Sequence, residues 1–102
     1  MDSSLEKAIS IIIDVASPDK IILFGSRAGE NYDENSDYDL LVLKRNVQQA
    51  RRLAQMIYMS FEDIGAPIDV LVADYDKYEK HKDDPYMIYS EAAKNGKVVY
   101  EQ

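Results

Sequence analysis

Apolar residues along this chain repeat at two spacings, one typical of helices and one typical of buried strands. Near the N-terminus the apolar positions are three or four residues apart: Leu5, Ala8, Ile9, Ile12 and Ala16. This spacing predicts an amphipathic helix. Ser3 and Glu6 form a capping box at its start, and Pro18 marks its end.

Short continuous apolar runs predict the strands of a sheet. They are bounded by turn residues and cover Lys20 to Phe24, Tyr38 to Leu43, Ile68 to Ala73 and Lys97 to Tyr100. Runs of this length are typical of buried strands. The hydrophobic pattern therefore predicts a sheet whose strands are separated by helices.

A second amphipathic helix is predicted between the second and third apolar runs. Its apolar positions are again three or four residues apart: Val47, Ala50, Ala54, Ile57, Phe61 and Ile64. We expect Asn46 to cap the start of this helix and Gly65 to stop it.

The last part of the chain is more polar. From Asp74 to Asp84 it is charged, and we expect an irregular segment. Asp84 is expected to cap a final helix, with Pro85 at the first helical position and Gly96 at the end. The whole pattern predicts one α/β (α+β) domain over residues 1–102, with a mixed sheet flanked by helices.

Composition narrows the class of protein. The chain has 102 residues, 46% of them hydrophobic, and no cysteine. A compact core is therefore feasible, whereas disulfides and thiolate metal sites are excluded. No apolar run approaches the roughly 20 residues that span a bilayer, and the N-terminus lacks a signal-peptide pattern. We expect a soluble, cytoplasmic protein with no membrane partner.

The formal net charge of −7 makes the surface strongly acidic. Such a surface repels a phosphate backbone, so we expect no direct nucleic-acid partner. The charge fits a small-molecule substrate delivered with Mg²⁺, or a basic protein partner. Part of it could be concentrated in an active site, where metal would offset it.

The candidate chemistry begins with two aspartates at the start of the second predicted strand. Asp37 and Asp39 are two residues apart, so their side chains point to the same face. Adjacent carboxylates repel each other and lose hydration when they are half buried. A cation between them would offset this cost, which indicates a divalent metal site.

A third aspartate interrupts the third apolar run. Asp69 is flanked by Ile68 and Val70, and an unpaired buried carboxylate is costly. If the third strand lies beside the second, Asp69 joins Asp37 and Asp39. Carboxylate oxygens suit Mg²⁺ or Mn²⁺, and two such ions can hold the attacking and leaving oxygens of an in-line displacement.

The turn after the first strand is a candidate phosphate site. Gly25 lets the backbone approach a phosphate closely, and the amides around Ser26 and its hydroxyl can donate hydrogen bonds. Arg27 is placed to neutralise the same phosphate. Combined with the aspartates, this turn indicates phosphoryl-group chemistry.

These residues resemble the signature of a known superfamily. Gly25-Ser26, ten intervening residues and Asp37-Tyr38-Asp39 are similar to the Gly-Ser…Asp-x-Asp pattern of the DNA polymerase beta nucleotidyltransferases. The apolar strands and the later Ile68-Asp69-Val70 agree with it. The likeness covers nearly the whole chain, which resembles the minimal nucleotidyltransferases of the antitoxin type.

The resemblance implies an enzyme that moves AMP from ATP to a hydroxyl acceptor and releases pyrophosphate. It implies that Asp37 and Asp39 hold two Mg²⁺ ions, and that Asp69 completes the metal site and helps to deprotonate the acceptor. Gly25 and Ser26 are then expected to bind the β- and γ-phosphates.

The resemblance also implies a partner. Minimal nucleotidyltransferases commonly pair with a small helical HEPN protein, often a ribonuclease toxin, and act as its antitoxin by adding AMP to one of its tyrosines. Where relatives often carry a second arginine, this chain has Gly29, and the loop that follows is acidic (Glu30, Asp33 and Glu34). A partner subunit, in a hetero- or homo-oligomer, could therefore complete the site.

Alternatives remain open at this point. The chain could be a non-catalytic antitoxin or nucleotide-binding regulatory subunit, or an adenylyltransferase acting on a small molecule. The aspartates could be solvated strand-end residues, Ser26 an ordinary turn residue and Arg27 a surface residue. The tyrosines near the C-terminus are core or interface residues, or a base-stacking platform: Tyr75, Tyr78, Tyr86 and Tyr89.

Overall fold

The computed structural model describes residues 3–29, 32 and 35–102, apart from the side chain of residue 88. These residues form, in chain order, α1 (Ser3–Ala16), β1 (Lys20–Phe24), a 3-10 turn (Ser26–Ala28), β2 (Tyr38–Lys44), α2 (Ala50–Ser60), β3 (Ile68–Asp74), α3 (Tyr75–His81), α4 (Ile88–Asn95) and β4 (Lys97–Glu101). No helix in these ranges is long and apolar enough to cross a bilayer.

The strands form one four-stranded sheet in the order β3-β2-β1-β4. β1 is antiparallel to both β2 and β4, whereas β2 and β3 are parallel. A parallel pair needs a crossover connection, and α2 supplies it here. The predicted α+β domain with a mixed sheet is confirmed.

The sheet has a helical layer on each face. Alternate residues of the central strands, such as Leu23 and Leu40, pack with α1 and α2 in the larger apolar cluster. The residues between them, such as Ile22 and Leu41, form a smaller cluster with side chains of α3 and α4. Because β2 is covered on both faces, its sequence is a nearly continuous apolar run.

Helix α2 differs from the helix predicted by the apolar spacing. Asn46 does not cap it, because Asn46 has a left-handed φ of 59° and its N–H donates to the Asp74 carboxylate at 3.0 Å. The helix begins at Ala50 and ends at Ser60, since Phe61 is already extended. Ile64 is buried although it lies beyond the helix. The apolar spacing therefore predicted which side chains pack against the core, but it placed both ends of the helix wrongly.

The charged segment after β3 was predicted to be irregular, and that prediction is wrong. It forms α3, which Asp74 caps by accepting a hydrogen bond from the Lys77 N–H at 3.1 Å. Tyr78 anchors this helix because its ring is buried against the sheet. A capping carboxylate and one buried ring are enough to order a short polar helix.

The final helix begins later than predicted. The Asp84 carboxylate accepts a hydrogen bond from the Tyr86 N–H at 3.0 Å, which is a local Asx-type turn two residues long. Helix α4 begins at Ile88, with Met87 at the N-cap position. Asp84 and Pro85 therefore shape the connection between α3 and α4 and do not start the helix.

Two basic residues bind oxygen acceptors at the end where β2 finishes. The Lys44 ammonium donates to the carbonyl oxygens of Ala16 at 2.6 Å and Ser17 at 3.3 Å, which caps the C-terminus of α1. The next residue, Arg45, donates its backbone N–H to the Asp19 carboxylate at 2.8 Å. Its guanidinium carbon lies 4.5 Å from the centroid of the Tyr75 ring.

Candidate active site

Strand pairing brings two of the predicted carboxylates together. β2 and β3 are parallel neighbours in a register that places Asp39 directly opposite Asp69. The expectation that the third strand lies beside the second is therefore confirmed. Asp39 is half buried, whereas Asp69 is exposed. Both project from the sheet face that carries α3 and α4.

The turn after β1 lies against this pair. Gly25 has φ 73° and ψ −157°, a conformation that side chains disfavour. A Cβ atom at this position would collide with Oδ2 of Asp39. Both backbone conformation and space therefore require glycine here, because the Asp39 carboxylate lies against the turn's backbone.

The electrostatics of the pair are unfavourable when both groups are ionised. Burial raises the pKa of the Asp39 carboxyl, and the charges of Asp69 and then Asp37 raise it further. Asp37 lies just before β2 and is exposed, yet it is close enough to affect Asp39.

This arrangement fits a divalent cation that is also bound by a substrate. In the described part of the chain, no group of three or more Asp, Glu, His or Cys side chains forms a metal-binding cage, so Asp37, Asp39 and Asp69 do not form one by themselves. Mg²⁺ seldom uses such cages and prefers one or two carboxylates together with phosphate oxygens and water. A cation between Asp39 and Asp69 would also remove the repulsion that raises the pKa of Asp39.

Ser26 begins the 3-10 turn that follows Gly25, and its side chain is exposed. The N–H groups of Ala28 and Gly29 donate to the carbonyls of Gly25 and Ser26, each at 3.2 Å. These two amides are thus used to shape the turn. Ser26 directly follows Gly25, and the Gly25 backbone lies against the Asp39 carboxylate.

Arg27 contacts two tyrosine rings and a backbone carbonyl oxygen. Its guanidinium carbon lies 4.3 Å from the Tyr38 ring centroid and 4.7 Å from that of Tyr32. Its Nε donates to the Ser36 carbonyl oxygen at 3.0 Å. Tyr38 precedes Asp39 on the strand, so the two side chains lie on opposite faces of the sheet. A phosphate contact of Arg27 remains a prediction.

The same arginine lines a cavity of about 250 Å³ on the α1 side of the sheet. Its other lining residues are Leu5, Leu23, Tyr32, Tyr38, Lys97 and Val99. The cavity and the carboxylate pair therefore lie on opposite faces. The sequence motif did not predict that Arg27 stacks on tyrosines, because that contact depends on the tertiary structure. Glu30, Asp33 and Glu34, which make this loop acidic in sequence, lie outside the described residues.

Residues 6–102 match the model of a family described as polymerase beta, nucleotidyltransferase. The chain belongs to this family. The resemblance to the polymerase beta nucleotidyltransferases is therefore confirmed. No curated protein matches its sequence.

Two solved structures share the nucleotidyltransferase fold with this chain. One is a mutant of the toxin–antitoxin complex MntA-HpeT, with a TM-score of 0.61, 18% identity, and coverage of 100% of this chain and 75% of that one. The other is described as a candidate nucleotidyltransferase from Sulfolobus solfataricus, with a TM-score of 0.60, 22% identity, and coverage of 100% and 90%. At these identities the likeness establishes the fold alone.

Proposed function

We propose that this nucleotidyltransferase moves AMP from ATP, with Mg²⁺, to a hydroxyl group on a partner protein. The observation that carries this proposal is the parallel register of Asp39 and Asp69 beside the left-handed Gly25. Two hard carboxylates next to a backbone turn suit a metal–triphosphate complex better than any apolar ligand.

The aspartates have separate tasks in this proposal. Asp37 and Asp39, on the β2 side, hold the cations that bind the triphosphate. Bound Mg²⁺ would neutralise charge on the phosphates and on the leaving pyrophosphate. Asp69, an exposed residue of β3, completes the cation site and accepts the proton of the attacking hydroxyl. The acceptor oxygen bonds to the α-phosphorus, and the bond from that phosphorus to the β-phosphate oxygen breaks.

The Gly25 turn positions the phosphates. The backbone can approach them closely because no side chain stands at position 25. The exposed Ser26 hydroxyl donates to the β- and γ-phosphates in this proposal. Arg27 would contribute only if its guanidinium left Tyr38, so we assign it the weakest role of the three.

A protein acceptor is supported by charge. The net charge of −7 favours a basic partner. The related MntA-HpeT structure is described as a toxin–antitoxin complex. We therefore propose an antitoxin that adds AMP to a tyrosine of a HEPN-type toxin.

The proposal is tested by incubating the protein with α-labelled ATP, Mg²⁺ and its co-purifying partner. We expect label on the partner, and we expect Asp37→Asn and Asp39→Asn to abolish it. Asp14→Asn is the matched control, since Asp14 lies exposed on α1, and it should label the partner normally. If the complex stays intact and the partner is never labelled, the proposed transfer of AMP is contradicted. The non-catalytic antitoxin is then the remaining proposal.

A further inference from the structure

Strand β3 carries Asp69 at the edge of the sheet. β2 is its only neighbouring strand in the described sheet, so one side of its backbone has no strand partner. The carboxyl groups of Asp39 and Asp69 face each other across the β2–β3 pair. When both carboxyl groups are ionised they repel each other, and an edge strand has no outer strand to resist that force.

A tyrosine from α2 binds the outer side of this strand. The N–H of Val70 donates to the Tyr58 hydroxyl oxygen at 2.6 Å, and the hydroxyl donates to the Val70 carbonyl oxygen at 3.4 Å. One side chain thus satisfies both backbone polar groups of the residue next to Asp69. The Tyr58 ring is itself held edge-on against Phe61, with the ring centroids 6.0 Å apart.

We propose that Tyr58 is a positioning residue that holds Asp69 opposite Asp39. The proposal rests on the proposed function in one respect, namely that this pair binds the metal–nucleotide complex. Tyr58 does not touch the substrate. It fixes the backbone of β3 between Asp69 and Leu71, so that the carboxylate stays in place when repulsion would move the strand.

The contact is well suited to this task. A hydroxyl of α2 that binds Val70 ties β3 to the helix that packs on the opposite face from Asp69. The fixed point is therefore outside the site, and the acceptor can approach Asp69 without displacing Tyr58. A phenylalanine would keep the ring contact with Phe61 and lose only the hydrogen bonds to the strand.

The test is a double-mutant cycle on binding, with Tyr58→Phe and Asp69→Asn. Binding of Mn²⁺ with a non-hydrolysable ATP analogue is measured by titration calorimetry. We expect Tyr58→Phe to weaken binding about fivefold to tenfold in the wild-type background, and less than about twofold in the Asp69→Asn background. Tyr86→Phe is the matched control, because Tyr86 is 94% exposed, and it should leave binding unchanged.

Amide hydrogen exchange provides a second measurement that does not depend on metal. Exchange at the Val70 amide should become faster in Tyr58→Phe and remain unchanged in Tyr86→Phe. Equal weakening of binding in both backgrounds would show that Tyr58 acts on general stability, which overturns the positioning role.

The outcomes separate this inference from the proposed function. Coupled binding without any transfer of label contradicts the proposed enzyme and supports the role of Tyr58. Transfer of label without coupling contradicts the role of Tyr58 and supports the enzyme. If the wild-type protein binds no metal–nucleotide complex, both are overturned.

Discussion

The two ends of strand β2 have opposite electrostatics. Where it finishes, Lys44 caps α1 and Arg45 binds Asp19, so positive groups meet carbonyls and a carboxylate. Where it starts, Asp39 faces Asp69 and is also affected by Asp37, so like charges meet. The charges at the end of β2 therefore stabilise the folded state, and those at its start destabilise it.

The difference separates charges that stabilise the fold from charges that only a bound ligand would neutralise. Charges that pair within the chain lower the free energy of the folded state and are satisfied without a ligand. Like charges that face each other raise that free energy unless a cation lies between them. The start of β2 is therefore a candidate cation site, whereas the charges at its end stabilise the fold.

The largest expected effect follows from removing charge at the start of β2. Asp39→Asn should lower the rate of AMP transfer by about a thousandfold, because a lost metal ligand costs several kcal/mol of transition-state stabilisation. The initial rate of partner labelling measures this. A residual rate within about tenfold of wild type would show that Asp39 does not hold the metal.

The next effect comes from the turn that contacts Asp39. Gly25→Ala should lower the free energy of unfolding by about 1–3 kcal/mol, because the residue keeps a left-handed φ and its Cβ meets the carboxylate. Chemical denaturation measures the change. Gly29→Ala is the control, since Gly29 is extended at φ −88° and its added Cβ would make only ordinary contact, so stability should change little.

A smaller effect is expected at the other end of the strand. Lys44→Met should lower the free energy of unfolding by about 1–2 kcal/mol, because the C-terminal carbonyls of α1 lose their charged donor. Lys7→Met, at an exposed position of α1, should change it far less. Lys44→Met should not change the transfer activity per folded molecule. A loss of that activity would show that the two ends of β2 are not independent.

The smallest expected effect is on how the stability of the folded protein depends on pH. Its sign is unusual for a carboxyl group. Because the folded protein raises the pKa of Asp39 above its ordinary value of 3.8, the favourable contribution of this group is complete below that pH. It is lost as pH rises through the folded pKa. Asp39→Asn should therefore raise the melting temperature of the metal-free protein at pH 7, and the gain should vanish near pH 3. Thermal melts across this range check the sign, and a lower melting temperature at pH 7 would contradict the repulsion.

Much of the candidate site was predictable from local sequence. Asp37, Asp39 and the Gly25 turn lie within one short stretch, and strand alternation and glycine's conformational freedom are local properties. The apolar runs predicted the strands to within about a residue. Asp69 was predictable as an unexplained charge in an apolar run, but its exposure in the structure shows that it is not buried as the run suggested.

Other features depended on contacts between distant residues. The helix after Asp74 forms because Tyr78 packs on the sheet, and nothing in its polar sequence shows that packing. Arg27 was placed near phosphate by its position after Ser26, whereas Tyr38 draws its guanidinium to the other face. The contact of Tyr58 with Val70 joins a helix to an edge strand and has no sequence pattern.

The sequence by itself determined that the chain forms an α+β domain and which residue types could bind a metal–phosphate complex. Those properties follow from periodicity, turn chemistry and a motif of fixed spacing. Only the tertiary structure decided that Asp39 faces Asp69 in register, and that the edge strand carrying Asp69 is held from outside. Register and edge contacts depend on long-range pairing, which local sequence preferences do not specify. The motif beginning at Gly25 therefore forms one side of the candidate site, and β3 forms the other.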